Sequence, residues 1–406
     1  MISILWSLWV AIDHVLFVFV ALTTCYMLVF AITSQFSHHS EVSKAKLHNR
    51  FIVLIPSYRQ DKVVIQTVNS VLGQTYPQRM FDIVVVSDHQ NEMTNMHLAQ
   101  MPITLLTPNF EQSSKAKSMQ YAILHLPQFK IYDAVVILDS GNIVEPEFLD
   151  QVNDAYTSAG TKAIQAHRMS KNRDTSAARL DAIFEEINNS VFRRGHIAVG
   201  LSAAISGSGM VFDFEWFKQN IMKIRQPLGE DKALESALLR DSIYIDYFDD
   251  IHIYDEKTRS TADFNDQRSR WVSTQLHALI NNIRFLPKAL LSRNYDFVNK
   301  ILEWALVPRT IMMGIIAVMC IVDPIIYSTI AVKWWVTAAL FLFACSLATP
   351  DYLVDKHWDR DFLQAPVVLF WGIINIFRAG SKEAHDRIGS ARWALHTKLP
   401  SIIRRQ

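Results

Sequence analysis

Phe51-Ile52-Val53-Leu54-Ile55-Pro56 is the stretch on which the fold turns. A short, unbroken apolar run closed by proline is the pattern of a strand buried on both faces, as in the parallel sheets of α/β proteins. Ser57-Tyr58-Arg59-Gln60 then opens a turn, and Val63 to Leu72 carries helical spacing. The alternation recurs downstream. Ile83-Val84-Val85-Val86 runs into Ser87-Asp88-His89, and Ala134-Val135-Val136-Ile137-Leu138 runs into Asp139. Strands alternating with helices predict an open α/β sheet whose ligands bind beyond the carboxyl ends of its strands. Asp88 and Asp139 stand at such ends. Packing alone has little use for an acid there, so both are candidate ligand-binding residues.

Working outward, Pro227-Leu228-Gly229 forms a loop run and Glu230-Asp231 follows it, leading into the helical stretch Lys232 to Arg240. The backbone dipole favours negative charge at a helix start. A carboxylate placed there suits a general base that takes a proton from an attacking hydroxyl. Taken alone, such a pair is more often helix N-terminal charge and nothing else. Ser113-Ser114-Lys115-Ala116-Lys117-Ser118-Met119-Gln120 begins another helix, where lysines add to the anion-attracting backbone or form a solvated face. Gly207-Ser208-Gly209-Met210 reads as a glycine-rich turn through which backbone can approach a ligand. In Gln267-Arg268-Ser269-Arg270-Trp271, the indole offers a flat apolar face to a sugar ring and Arg270 can neutralise a diphosphate. His167 and His196 lack the spacing of a metal pair and read as structural.

The ends of the chain differ from its middle. Half of the 406 residues are hydrophobic, concentrated toward both termini, and all three cysteines (Cys25, Cys320, Cys345) fall in those stretches. A formal net charge of +1 gives no basic excess of the kind nucleic-acid binding requires, so no nucleic-acid partner is expected. Val15 to Phe36 is free of charge and, at about 1.5 Å per residue, long enough to cross a hydrocarbon core of about 30 Å. No Lys or Arg precedes it, which disfavours a cleaved signal peptide. Lys44, Lys46 and Arg50 follow it and place the next region in the cytoplasm. Arg284, Lys288, Arg293 and Lys300 interleave with apolar residues, as in helices lying along a membrane face. Three more apolar runs follow, at about Ile311 to Ile326, Trp334 to Thr349 and Phe362 to Phe377. Four spans would put the basic tail, with Lys398, Arg404 and Arg405, outside, whereas its charge says inside. One run is therefore interfacial or re-entrant, or the tail breaks the rule. The predicted layout is an N-terminal membrane segment (1–36), a linker (37–50), a catalytic domain (51–275), interfacial helices (276–302), C-terminal membrane helices (303–380) and a basic tail (381–406).

From Phe51 to Trp271 these pieces, in this order, resemble the membrane-bound glycosyltransferases of family two, in particular the cellulose- and hyaluronan-synthase-like group. The resemblance implies a GT-A fold: an α/β nucleotide-sugar-binding domain with an open mixed sheet, here flanked by transmembrane helices. By similarity, Pro56, Ser57 and Tyr58 match the nucleotide-binding turn, Asp88 the acid that reads the base, and Lys115 a donor-site lysine. Asp139 matches the first acid of the Asp-x-Asp motif, which holds Mg or Mn on the sugar diphosphate. Asp231, beside Glu230, matches the catalytic base, and Gln267, Arg270 and Trp271 match the acceptor and diphosphate motif. The implied partners are a nucleotide-sugar donor (a UDP-sugar in this group), a glycan or lipid-linked acceptor, and membrane lipids, with the enzyme in the inner membrane. The chain departs from the pattern at Gln60, where an acid is usual, and at Gly141, which replaces the second motif acid. A metal is then expected to be held weakly, through Asp139, Asn142 and water. The expected activity is inverting transfer of a sugar from a nucleotide-sugar donor to a growing glycan, with single transfer to a lipid carrier or a catalytically silent glycosyltransferase-like subunit as the alternatives.

Overall fold

The computed structural model describes residues 2–37, 42–127, 129–225, 228–326 and 328–354. The run Phe362 to Phe377, the basic tail and Pro227 lie outside the described residues. The described chain divides into two compact units, one of residues 42–171 and 204–256, the other of residues 2–37, 172–203 and 257–354.

The first unit is built on an eight-stranded sheet. Its strands are β1 (Phe51–Tyr58), β2 (Phe81–Asp88), β3 (Thr104–Leu106), β4 (Ala134–Ile137), β5 (Ile143–Val144), β6 (Ala163–Ser170), β7 (Met210–Asp213) and β8 (Ile245–Asp255). They lie in the order β3-β2-β1-β4-β7-β6-β8-β5. The first four run parallel, β7 runs against both β4 and β6, and β6 and β8 are again parallel. The sheet is thus open, as the apolar runs predict, and mixed, as the resemblance implies. Every residue of β1 is buried, which explains the continuous run in place of an alternating one. Each large side chain so buried contributes about 1.5–3 kcal/mol. Helix Val64–Leu72 buries Val64, Thr67, Val68 and Val71, one helical stripe, before chain direction changes at Gly73.

Gly209 shows how tightly the sheet closes around the turn that precedes β7. Its φ is +65°, and an added Cβ would lie 2.7 Å from Ile253 Cδ1 on β8 and 3.3 Å from the Ala166 methyl on β6. Its N–H donates to Ile137 at 2.9 Å, and its carbonyl accepts from Ala166 at 2.8 Å. Gly209→Ala is therefore expected to destabilise the unit by about 1–3 kcal/mol, read as a lowered unfolding midpoint. An unchanged midpoint would show that Ile253 yields without cost.

The second unit gathers the apolar helices Ile2–Thr33, Arg309–Ile326 and Ser328–Ala348 around Val20, Met27, Met312, Trp334 and Phe341. Three stretches here are long and apolar enough to cross a membrane: Trp6–Phe36, Arg309–Ile326 and Ala331–Ala348. Asp13 is buried among them, accepting from Trp334 Nε1 at 2.7 Å and pairing with Lys333. Helix Ser176–Asn188 and the π-helical turn Asn189–Arg194 pack in this unit. So does the long helix Thr261–Asn282, followed by helices Leu286–Leu291 and Tyr295–Ala305.

Candidate active site

Because β3, β2, β1 and β4 are parallel, their carboxyl ends share one edge of the sheet. Pro56, Ser57 and Tyr58 close β1, Asp88 closes β2, and Asp139 follows β4. Ser57 is fully buried and accepts from Gln90 Nε2 at 2.5 Å. Asp88 is fully buried too. Its Oδ1 faces His89 Nδ1 at 2.5 Å, while its Oδ2 has no hydrogen-bond partner among the described residues, nor has Gln90 Oε1. Buried acceptors left unpaired are costly, and here two of them make the strand ends a candidate place for a ligand that brings donors. Arg59 and His89, directly after β1 and β2, hold φ values of 51° and 56°. Positive φ in such residues is uncommon and concentrates at ligand-binding turns. The Arg59 guanidinium lies 5.1 Å from the Tyr58 ring centroid, and His89 meets that ring edge-on.

A second group forms around Lys115. Ser114 caps helix Lys115–Leu124 by accepting the Lys117 N–H, which leaves Lys115 as its first residue. The Lys115 side chain is 3% exposed. Its ammonium pairs with the Asp139 carboxylate, donates to the Gly207 carbonyl at 2.5 Å, and stands 4.0 Å from Glu230 Oε1. Gly229 has φ +78° and turns the chain into helix Glu230–Arg240, with Glu230 and Asp231 in its first turn. Glu230 is buried beside Lys115. Asp231 is half-buried, and its Oδ1 accepts the neighbouring Lys232 N–H at 2.9 Å. Glu235, fully buried, accepts from the Ile205 N–H at 2.9 Å and ties the helix to the segment before Gly207. Residues with no evident signal in the sequence, Arg59, His89 and Gln90, thus complete what Ser57, Tyr58 and Asp88 begin.

The residues present do not fit a divalent metal at Asp139. Magnesium and manganese take several hard oxygen ligands. Gly141 offers no side chain, and its φ of +140° strains any replacement even though an added Cβ would have room, 3.7 Å from Val63 Cγ2. Asn142 is fully buried, and its side-chain oxygen is already engaged. Its Oδ1 accepts from the Asp139 N–H at 2.8 Å and from Ser208, and its Nδ2 donates to Asp255 at 3.1 Å. Asp255 in turn pairs with Arg168 at 2.5 Å. Among the described residues no group of three or more His, Cys, Asp or Glu side chains is placed to hold a metal ion. His167 pairs with Asp249 at 2.9 Å, and His196 bonds to Tyr26 and Ser202.

Gln267, Arg270 and Trp271 lie in helix Thr261–Asn282 of the other unit. Arg268, between them, is buried. It pairs with Asp181, and its guanidinium lies 4.8, 4.8 and 4.3 Å from the ring centroids of Phe184, Phe264 and Trp271. Arg270 is 8% exposed, and Gln267 Oε1 is buried without a partner among the described residues.

Residues 48–274 match the model of a protein family described as glycosyltransferase like family 2. In structure the chain is similar to a mannosyltransferase from Pyrobaculum calidifontis, solved in complex with GDP-Man and Mn2+. The TM-score is 0.54 at 12% identity, over 91% of this chain and 99% of that one. It is also similar to TarS of S. aureus, at a TM-score of 0.44 and 13% identity over 83% of this chain and 91% of that one. At such identities the first likeness speaks to the fold, which is GT-A. No curated protein matches the chain. With more than half its length under one family model, the chain belongs to glycosyltransferase-like family 2.

Proposed function

We propose that this glycosyltransferase is a membrane-embedded inverting enzyme of the cellulose- and hyaluronan-synthase-like group. It adds sugars from a nucleotide-sugar donor to a growing glycan, with its catalytic domain on the cytoplasmic face. The observation that carries the reading is the group at the strand ends: a half-buried carboxylate, Asp231, next to the buried Glu230 and Lys115, with the Lys115 ammonium paired to the half-buried Asp139. Asp231 takes the proton of the acceptor hydroxyl as that oxygen attacks the anomeric carbon. The bond from this carbon to the diphosphate oxygen breaks on the opposite face, so configuration inverts. Lys115 meets the charge that the leaving diphosphate gains. Asp88 and the β1 end, Pro56 to Tyr58, receive the nucleoside, and the unpaired Asp88 Oδ2 suits a base N–H. Gln267, Arg270 and Trp271 carry the acceptor and diphosphate roles that the resemblance assigns them. Apolar helices that follow Trp271 support a product moved outward as a polymer.

Gly141 favours a second reading, a silent subunit that binds nucleotide or glycan and regulates a partner; a third is single transfer to a lipid carrier. One experiment separates the three. Membranes holding the full chain are given a panel of nucleotide sugars, led by UDP-sugars and GDP-Man, and the products are sized. A ladder of polymers is expected. Single addition would remove the polymer reading, and no donor consumption with any sugar would leave the silent subunit. The same membranes, washed with alkaline carbonate, are expected to retain the protein. Release into the soluble fraction would overturn the spanning assignment.

A further inference from the structure

The positive charge beside Asp139 is already part of the chain. Lys115 is the first residue of its helix, where the backbone itself carries partial positive charge and disfavours a cation. The helix therefore gains nothing from a buried lysine at this place, and what the ammonium faces must account for it. An ammonium has three donors. One goes to Asp139 and one to the Gly207 carbonyl. Glu230 Oε1, at 4.0 Å, is beyond hydrogen-bond reach, so the third donor is unengaged among the described residues. A divalent ion on Asp139 would have to displace this ammonium or share one carboxylate with it, and the oxygens it would need are absent at Gly141 or spent at Asn142 and Asp255.

We infer that the enzyme binds the donor diphosphate without a divalent metal, the Lys115 ammonium standing where the cation would be and turning its third N–H to a phosphate oxygen. Asp139 then serves to hold the ammonium in position, and Glu230 balances its charge from the other side. The glycine at 141 fits this arrangement, because a carboxylate there would draw the ammonium off the diphosphate. The inference rests on the nucleotide-sugar reading above and goes beyond it.

The test is nucleotide binding by the full chain in detergent, measured by calorimetry with UDP, GDP, ADP and dTDP, in excess EDTA and in excess manganese. The nucleotide that binds is expected to show dissociation constants within about threefold of each other in the two conditions. Lys115→Met should weaken that binding by about 10- to 100-fold in EDTA, the size of a charge-assisted hydrogen bond, and Lys115→Arg should recover part of it. Binding lost in EDTA and restored by manganese in the unmodified protein overturns the inference and leaves the donor site standing. No binding of any of the four in either condition removes the donor-site reading, and the inference with it. The unmodified protein alone decides the first point, so a misfolded Lys115→Met does not shelter the idea.

Discussion

Asp231→Asn is expected to lower sugar transfer by about two to four orders of magnitude, the range that a positioned general base supplies. The side chain keeps its size and an oxygen to accept the Lys232 N–H, now made at 2.9 Å, so the first turn of helix Glu230–Arg240 has no reason to move. What it loses is the capacity to take a proton. Nucleotide binding should stay within about threefold, because Lys115 and Asp139 are untouched. Glu230→Gln makes the contrast. Glu230 is buried 4.0 Å from the ammonium, so its change should act on donor affinity first and on the proton-transfer step only through it. Initial rates at saturating donor, alongside calorimetric binding, separate the two. Transfer by Asp231→Asn within about tenfold of the parent would place the base elsewhere, for that is less than a base is worth.

The parts of the fold legible in the sequence are those where burial is uniform. β1, β2 and β4 read as strands because nearly all their residues face the interior, and each ends near a polar residue that the fold puts to use. The segment 160–226 is less legible in the sequence, for the opposite reasons. β7 is short, β6 buries the polar Gln165, His167 and Arg168 among its apolar residues, and the helices between them belong to the other unit. The acid at 231 and the lysine at 115 could be named from the resemblance, with their places at helix starts in agreement. Their connection could not, since the Gly207 carbonyl that receives the Lys115 ammonium lies 92 residues away in the chain. Asn142 shows how motif reasoning misleads. A polar residue close to Asp139 suggested a ligand, whereas the fold spends both ends of its amide in holding Asp139, Ser208 and Asp255. In the helix Thr261–Asn282, attention falls on Arg270 and Trp271, yet Phe264, Arg268 and Trp271 share one helical face at i, i+4 and i+7. That spacing was there to be read. It places Arg268 among rings in its own unit and gives Trp271 a packing partner that motif comparison does not mention.

Asp181→Leu is expected to destabilise that unit by about 3–5 kcal/mol, the cost of stripping a buried charge of its partner. The Asp181 side chain is 1% exposed and that of Arg268 8%, so water cannot take the place of the lost carboxylate. The three rings around the guanidinium soften the loss, because each aromatic face attracts a cation, but about 0.5–2 kcal/mol per face cannot stand in for a paired carboxylate and its hydrogen bond. The double change Asp181→Leu with Arg268→Met should recover much of the stability, since a buried ion pair is often replaceable by apolar groups of similar volume. The readout is the thermal unfolding midpoint in detergent for the parent, both single variants and the double. Activity gives a second readout. Trp271 lies against the Arg268 guanidinium at 4.3 Å, so a stable double variant that has lost transfer would mean that the arginine positions the indole for its acceptor. A stable double variant with transfer intact would mean that Arg268 and Asp181 serve the fold of their unit alone. An Asp181→Leu midpoint equal to the parent's would sink the stability argument, for it would mean that the guanidinium gains nothing from the Asp181 carboxylate.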